Sequence, residues 1–157
     1  MSPLIVVAVV IVAAVDPGSA RAIASRNARL LDDSGAALDA GSAAVALERL
    51  LSVDEGDRRL DRRRFLRLRG RARLALGVVD AGAADLDEVR RGLPTVDRAL
   101  NVMLAGAWRD LGRFDDCAAV LADSGVLDDD GAVLLATCWR GTLHKARAHD
   151  ALAGRDA

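Results

Sequence analysis

The chain has 157 residues, enough for one ordinary domain and too few for two. A net charge of −1 supplies no global field that would select nucleic acid or a membrane. Hydrophobic residues make up 52% but aromatics only 3%, with no tyrosine, so the apolar mass is Ala, Leu and Val, the palette of close-packed helices and not of an aromatic-rich sheet. Among the 22 basic residues only Lys145 is a lysine, a skew that fits high-GC bacterial codon usage better than a functional choice.

Residues 3–15 carry no charge, and Asp16-Pro17-Gly18 ends the run. Three fates are open to it. A membrane-spanning helix wants about 20 apolar residues, so 13 residues make a short one. A secretory signal would use the run as its apolar core, with Ala22-Ile23-Ala24 as a cleavage-like site, but no Lys or Arg precedes it. A buried first element would have to be covered on every side, which a small domain can hardly do. The expectation is an N-terminal hydrophobic helix over residues 1–16 that acts as a single-pass anchor. Arg21, Arg26 and Arg29 follow it, which places the remainder, 17–157, on the cytoplasmic side of a bacterial inner membrane.

Beyond the run, the chain repeats itself. Leu38-Asp39-Ala40-Gly41 precedes an apolar helix reaching Leu51. Residues 58–73 hold nine arginines around an apolar stripe of Phe65, Leu68, Ala72, Ala75 and Leu76. Gly77 ends that helix, and the next carries Ala83 to Val89 and stops at Gly92-Leu93-Pro94. Residues 102–109 and 133–140 then match at five of eight positions, and each contains one of the chain's two tryptophans. Gly112 closes the first of these two helices, a new one starts near Phe114, and Gly125 closes that. Gly41, Gly77 and Gly112 stand 36 and 35 residues apart, and aligning the Trp motifs sets a fourth turn near Leu143. Residues 142–157 are polar, as the outer cap of a stack would be.

This pattern resembles the tetratricopeptide repeat (TPR) family over about residues 27–153. The family's small residue in the first helix falls on Gly70, Ala105 and Ala136. Its aromatic three positions on falls on Trp108 and Trp139, with Arg73 in the second unit. The small residue of the second helix falls on Ala46, Gly82, Cys117 and Ala148, and the bulky residue four further on falls on Leu50, Leu86, Leu121 and Leu152. The closing proline is present as Pro94, while Arg58 and Asp129 take the other two places. The resemblance implies an all-α, TPR-like solenoid of antiparallel hairpins with three to four units. It also implies that Arg64, Arg67 and Arg71 look into a concave groove that takes a peptide or acidic chain end. The family's usual carboxylate clamp is not reproduced, because Val102 and Gly106 occupy the groove positions of the third unit.

Chemistry finds little support. Cys117 and Cys138 give neither a disulfide framework nor a metal spacing, and Cys117 reads as buried core filler. His144 and His149 are five residues apart and share no helix face at ligand spacing. No phosphate loop, nucleophile elbow or His-Glu pair occurs. Acids around the arginines cancel their field, and no aromatics interleave them, so nucleic acid is a poor partner. The expected function is a non-catalytic protein-interaction scaffold or assembly factor at the membrane, without metal or cofactor. The alternatives are an accessory subunit of a membrane complex, or a module binding anionic lipid or another polyanion through the Arg58–Arg73 helix.

Overall fold

The computed structural model describes residues 17–144, 147, 148 and 152. Among them are seven α-helices and no strand: α1 (Pro17–Asp39), α2 (Ala43–Leu51), α3 (Arg62–Ala75), α4 (Val79–Arg91), α5 (Arg98–Asp110), α6 (Phe114–Ala122) and α7 (Asp129–Gly141). The apolar run 3–15, expected to form a membrane helix, lies outside the described residues. No helix among those described is long and apolar enough to cross a membrane.

The helices begin and end by two alternating devices. α3, α5 and α7 each start with an aspartate cap. Asp61, Asp97 and Asp128 accept a hydrogen bond from the amide three residues on, at 3.0, 3.0 and 2.8 Å. Each satisfies one of the amides that a helix start leaves without a partner. α2, α4 and α6 have no side-chain cap and instead follow a tight turn. That turn is the same each time. The Gly41 amide donates to Leu38 and the next amide to Ala37; Gly77 pairs with Leu74 and Val78 with Arg73; Gly112 pairs with Arg109 and Arg113 with Trp108. The glycines sit at φ of 76°, 77° and 71°, a left-handed conformation that costs glycine nothing. The fourth turn repeats the bonds, Leu143 to Arg140 and His144 to Trp139, with a leucine at φ 63° in place of glycine. It falls where the Trp alignment sets it.

Each helix packs on the next along the chain, and α1 also reaches α3 as α5 reaches α7. Long-range packing thus joins near neighbours in sequence. The small positions do what their size suggests. A Cβ on Gly70 would lie 2.8 Å from Leu86 and 3.1 Å from the Gly82 carbonyl, so only glycine lets α3 and α4 cross this closely. Ala46, Ala105, Cys117, Ala136 and Ala148 are all buried, as are Leu50, Leu86 and Leu121. Trp108 is buried and Trp139 half-buried. The long connection from α2 to α3 is closed by the buried Asn27 of α1, which exchanges hydrogen bonds with the Asp54 backbone and donates to Asp57.

One expectation is corrected. Cys117 and Cys138, taken as giving no disulfide, are bonded to each other, with Cα atoms 5.9 Å apart. Cys117 is core filler in the sense that it is fully buried, but it also ties α6 to α7. The two lie 21 residues apart on different helices, so only the packing of those helices brings the sulfurs together.

Candidate functional site

The arginine-rich helix α3 starts after the Asp61 cap and turns its apolar stripe inward: Phe65, Leu68 and Ala72 are buried. Arg64, Arg67 and Arg71 are three and four residues apart, the spacing of one helix face. Their side chains keep about two-fifths of their surface in solvent, at 44, 38 and 37%. Each already holds a carboxylate. Arg64 pairs with Asp32 of α1 at 2.6 Å, Arg71 with Asp39 of α1 at 3.3 Å, and Arg67 with Asp97 at the start of α5 at 2.7 Å. The row therefore bridges α1 and α5 across α3.

The three ion pairs differ in how tightly they hold their acid. Asp32 and Asp39 have side chains 65% and 73% exposed. Pairs this open contribute roughly 0–1 kcal/mol each, so their carboxylates can be exchanged for others. Asp97 is 27% exposed and also caps α5 through the Leu100 amide. That hydrogen bond, and then the Arg67 guanidinium, hold its carboxyl below the ordinary 3.8 against the opposing effect of burial.

The other face of α3 is a different structure. Asp85 of α4 is a buried carboxylate. Arg69 grips it with two nitrogens, at 3.0 and 2.9 Å, and Arg73 adds a third hydrogen bond at 2.7 Å. Arg69 also reaches Glu55 at 2.9 Å and stacks over the Phe65 ring at 4.6 Å. The Asp85 hydrogen bond, more than any other influence, raises the Arg69 pKa above its ordinary value. Arg62 pairs with Glu88 at 3.1 Å, and Arg63 bonds the Gly92 carbonyl. Sequence reading counted these acids as a general counter-charge and missed that Asp85 alone takes two arginines. The available signal was an aspartate at a position the neighbouring repeat fills with Val120, 35 residues on.

The positions on later helices that the family resemblance sets beside the arginine row carry no charge. Val102 and Gly106 are half-buried, Val133 is 56% exposed, and a side chain on Gly106 would meet nothing within 4 Å. Of the two histidines, His144 lies 5.6 Å from the Trp139 ring, and His149 is outside the described residues. No group of three His, Cys, Asp or Glu side chains that could hold a metal occurs among the described residues. Set against protein-family models, curated proteins and solved structures, the chain finds no match.

Proposed function

We propose that this chain is a non-catalytic scaffold, a TPR-like solenoid that docks a protein partner beside a bacterial membrane to which residues 3–15 tether it. The observation that carries the reading is the recurrence of one turn. Four turns share the same two hydrogen bonds, centred on residues 41, 77, 112 and 143. Nearest-neighbour packing and the aspartate caps of α3, α5 and α7 support it as well. Hairpins of this kind stack because each alone leaves an apolar face open. In this reading Arg64 and Arg71 take an acidic partner segment by trading the exposed Asp32 and Asp39 for the partner's carboxylates. Arg67 keeps Asp97 and holds the row in place. The same pairs weigh against the polyanion alternative, since most of the arginines between Arg62 and Arg73 already have acids of their own.

The experiment compares two triple variants of the full chain in cross-linked pull-downs from native membranes. Arg64→Gln/Arg67→Gln/Arg71→Gln should lose the partners the wild type retains, and the loss should be mimicked by raised salt. Arg58→Gln/Arg59→Gln/Arg63→Gln should retain them. Equal losses would replace the groove by a diffuse charged surface. Co-purification of a fixed-stoichiometry complex would favour the accessory-subunit alternative over a free scaffold.

The side of the membrane is contested by two observations. The three arginines after the apolar run favour the cytoplasm. The Cys117–Cys138 disulfide favours the opposite, oxidising face, because reducing compartments keep such thiols apart. Maleimide labelling after acid quenching of intact cells decides between them: unreacted cysteines before reduction mean the oxidising face, and labelled ones mean the cytoplasm.

A further inference from the structure

The first part of α1 is unlike the rest of the molecule. Its fully buried residues begin at Asn27, and of residues 17–26 only Ala20, Ile23 and Ala24 are half-buried, the rest being exposed. Residues 17–31 contain Arg21, Arg26 and Arg29 and no acid. All three arginines are exposed. At 100° per residue, Arg29 and Arg26 lie about 80° and 140° round the helix from Arg21. The buried Asn27, Leu31 and Ser34 fall at about 220–280°, on the opposite side, and the buried Ala37, nearer the end of the helix, at about 160°. Over residues 17–31 one face of α1 is therefore buried and the other basic, and the acids of this helix, Asp32, Asp33 and Asp39, come only after that stretch.

These arginines also lack the carboxylate partners that most arginines of α3 have. Arg62, Arg64, Arg67, Arg69, Arg71 and Arg73 all hold carboxylates. Among the described residues Arg21 and Arg26 make no ion pair, and Arg29 bonds only the Ser25 carbonyl. The acidic loop that packs beside Asn27 is occupied elsewhere, with Glu55 held by Arg69 and Asp57 by the Asn27 amide. An uncharged run of 13 residues joins this basic face through Asp16.

We infer that the Arg21, Arg26 and Arg29 face of α1 lies against anionic lipid headgroups. This rests on the tether reading, which brings the face to the membrane surface. The apolar run and the arginines then act together, one by burial in the acyl region and the other by attraction to phosphate. A guanidinium suits that role because it gives two hydrogen bonds to a phosphate while keeping its charge. The contact also fixes an orientation: the core side of α1, and with it the whole helical domain, points away from the bilayer. The arginines of α3 do not share the task, since their charge is met within the fold.

The test uses the full chain with Ser25→Cys, a position on the basic face, carrying an environment-sensitive fluorophore. The native cysteines are paired, so the introduced thiol is the one labelled. Vesicles of phosphatidylcholine alone are compared with vesicles containing a third phosphatidylglycerol. With the anionic lipid the probe should shift to the blue and brighten. The shift should be absent with the neutral lipid, disappear in high salt, and disappear in Arg21→Gln/Arg26→Gln/Arg29→Gln. Where binding is reversible, each arginine removed should lower the affinity for anionic vesicles roughly fivefold. Co-sedimentation with both vesicles and identical probe spectra would overturn the lipid contact and leave the tether standing. Arginine-dependent binding to anionic vesicles with none to neutral ones would keep the contact and remove the tether. Binding to neither removes both.

Discussion

The α3–α4 and α5–α6 hairpins share one turn and one crossing but are held together by opposite means. Moving 35 residues along the chain takes Gly70, Gly77 and Leu86 to Ala105, Gly112 and Leu121, so the frame is preserved. The same step takes Arg69, Arg73 and Asp85 to Leu104, Trp108 and Val120. One set is a buried carboxylate between two guanidinium groups, and the other is a wholly apolar trio buried to within 5%. A hairpin of this geometry is therefore not specified by which chemistry fills its slots. It is specified by the turn, the small crossing residues and the buried leucine.

That equivalence can be broken most forcefully at the slots themselves. Asp85→Ala leaves two guanidinium groups against the core with no acid between them. Removing one partner of a buried ion pair costs about 3–5 kcal/mol, with the lower end expected here because Arg69 and Arg73 keep 14 and 24% of their side chains exposed. Trp108→Ala in the other hairpin should cost about 3–5 kcal/mol through lost packing. The sharper experiment transplants the apolar trio as Arg69→Leu/Arg73→Trp/Asp85→Val. Well-packed apolar replacements of buried ion clusters are often neutral or stabilising by about 1–4 kcal/mol, so urea unfolding should find the triple variant far more stable than Asp85→Ala. If it is as unstable as the single variant, the two sets of slots are not equivalent.

The second difference between the hairpins is the disulfide. Gly82 of α4 stands where α6 carries Cys117, and Ala107 of α5 where α7 carries Cys138, so no bond ties the α3–α4 hairpin to its successor as this one ties α6 to α7. α7 packs on α5 and α6, with Leu134, Leu135 and Trp139 against the core, and this bond ties it to α6. Closing a loop of this length stabilises by about 3 kcal/mol in the chain-entropy account. Reduction should lower the melting temperature by roughly 6–12 °C for a chain of this size, and amide exchange in α7 should accelerate before that in α3 or α4. Uniform acceleration across all helices would mean that the bond stabilises the whole fold and not its last helix.

Much of this was legible before any coordinates. Gly41, Gly77 and Gly112 mark turns whatever their surroundings, because a left-handed φ is a local demand, and the Trp motifs extend the period to Leu143. Helix α1 was less legible: it has the first turn of the series but no aromatic and no small-residue signature upstream of Gly41. What escaped depends on partners distant in sequence. The Cys117–Cys138 bond, the double grip on Asp85 and the occupation of Arg64, Arg67 and Arg71 by Asp32, Asp97 and Asp39 all need two helices to be placed first. The arginine row was readable as a row, but its state of pairing was not.

The smallest effect concerns the single ion pair that joins the two hairpins, Arg67 of α3 with the Asp97 cap of α5. Asp97→Asn keeps a capping oxygen for the Leu100 amide but removes the charge that Arg67 holds. The Asp97 carboxyl is depressed below 3.8 in the folded chain, first by the Leu100 amide and then by Arg67. A depressed carboxyl contributes stability that is fully present above its unfolded value. That contribution falls away as the pH drops from about 4 through the folded value, because the unfolded chain takes up the proton first. The pair is partly exposed, so the contribution at neutral pH is about 1 kcal/mol or less. The difference in unfolding free energy between wild type and Asp97→Asn should therefore be positive at pH 6 and shrink toward zero below pH 3. Moderate salt should reduce it at pH 6. A difference that stays constant with pH would assign the effect to cap geometry, and the link between the hairpins would then rest on the packing of α4 against α5 alone.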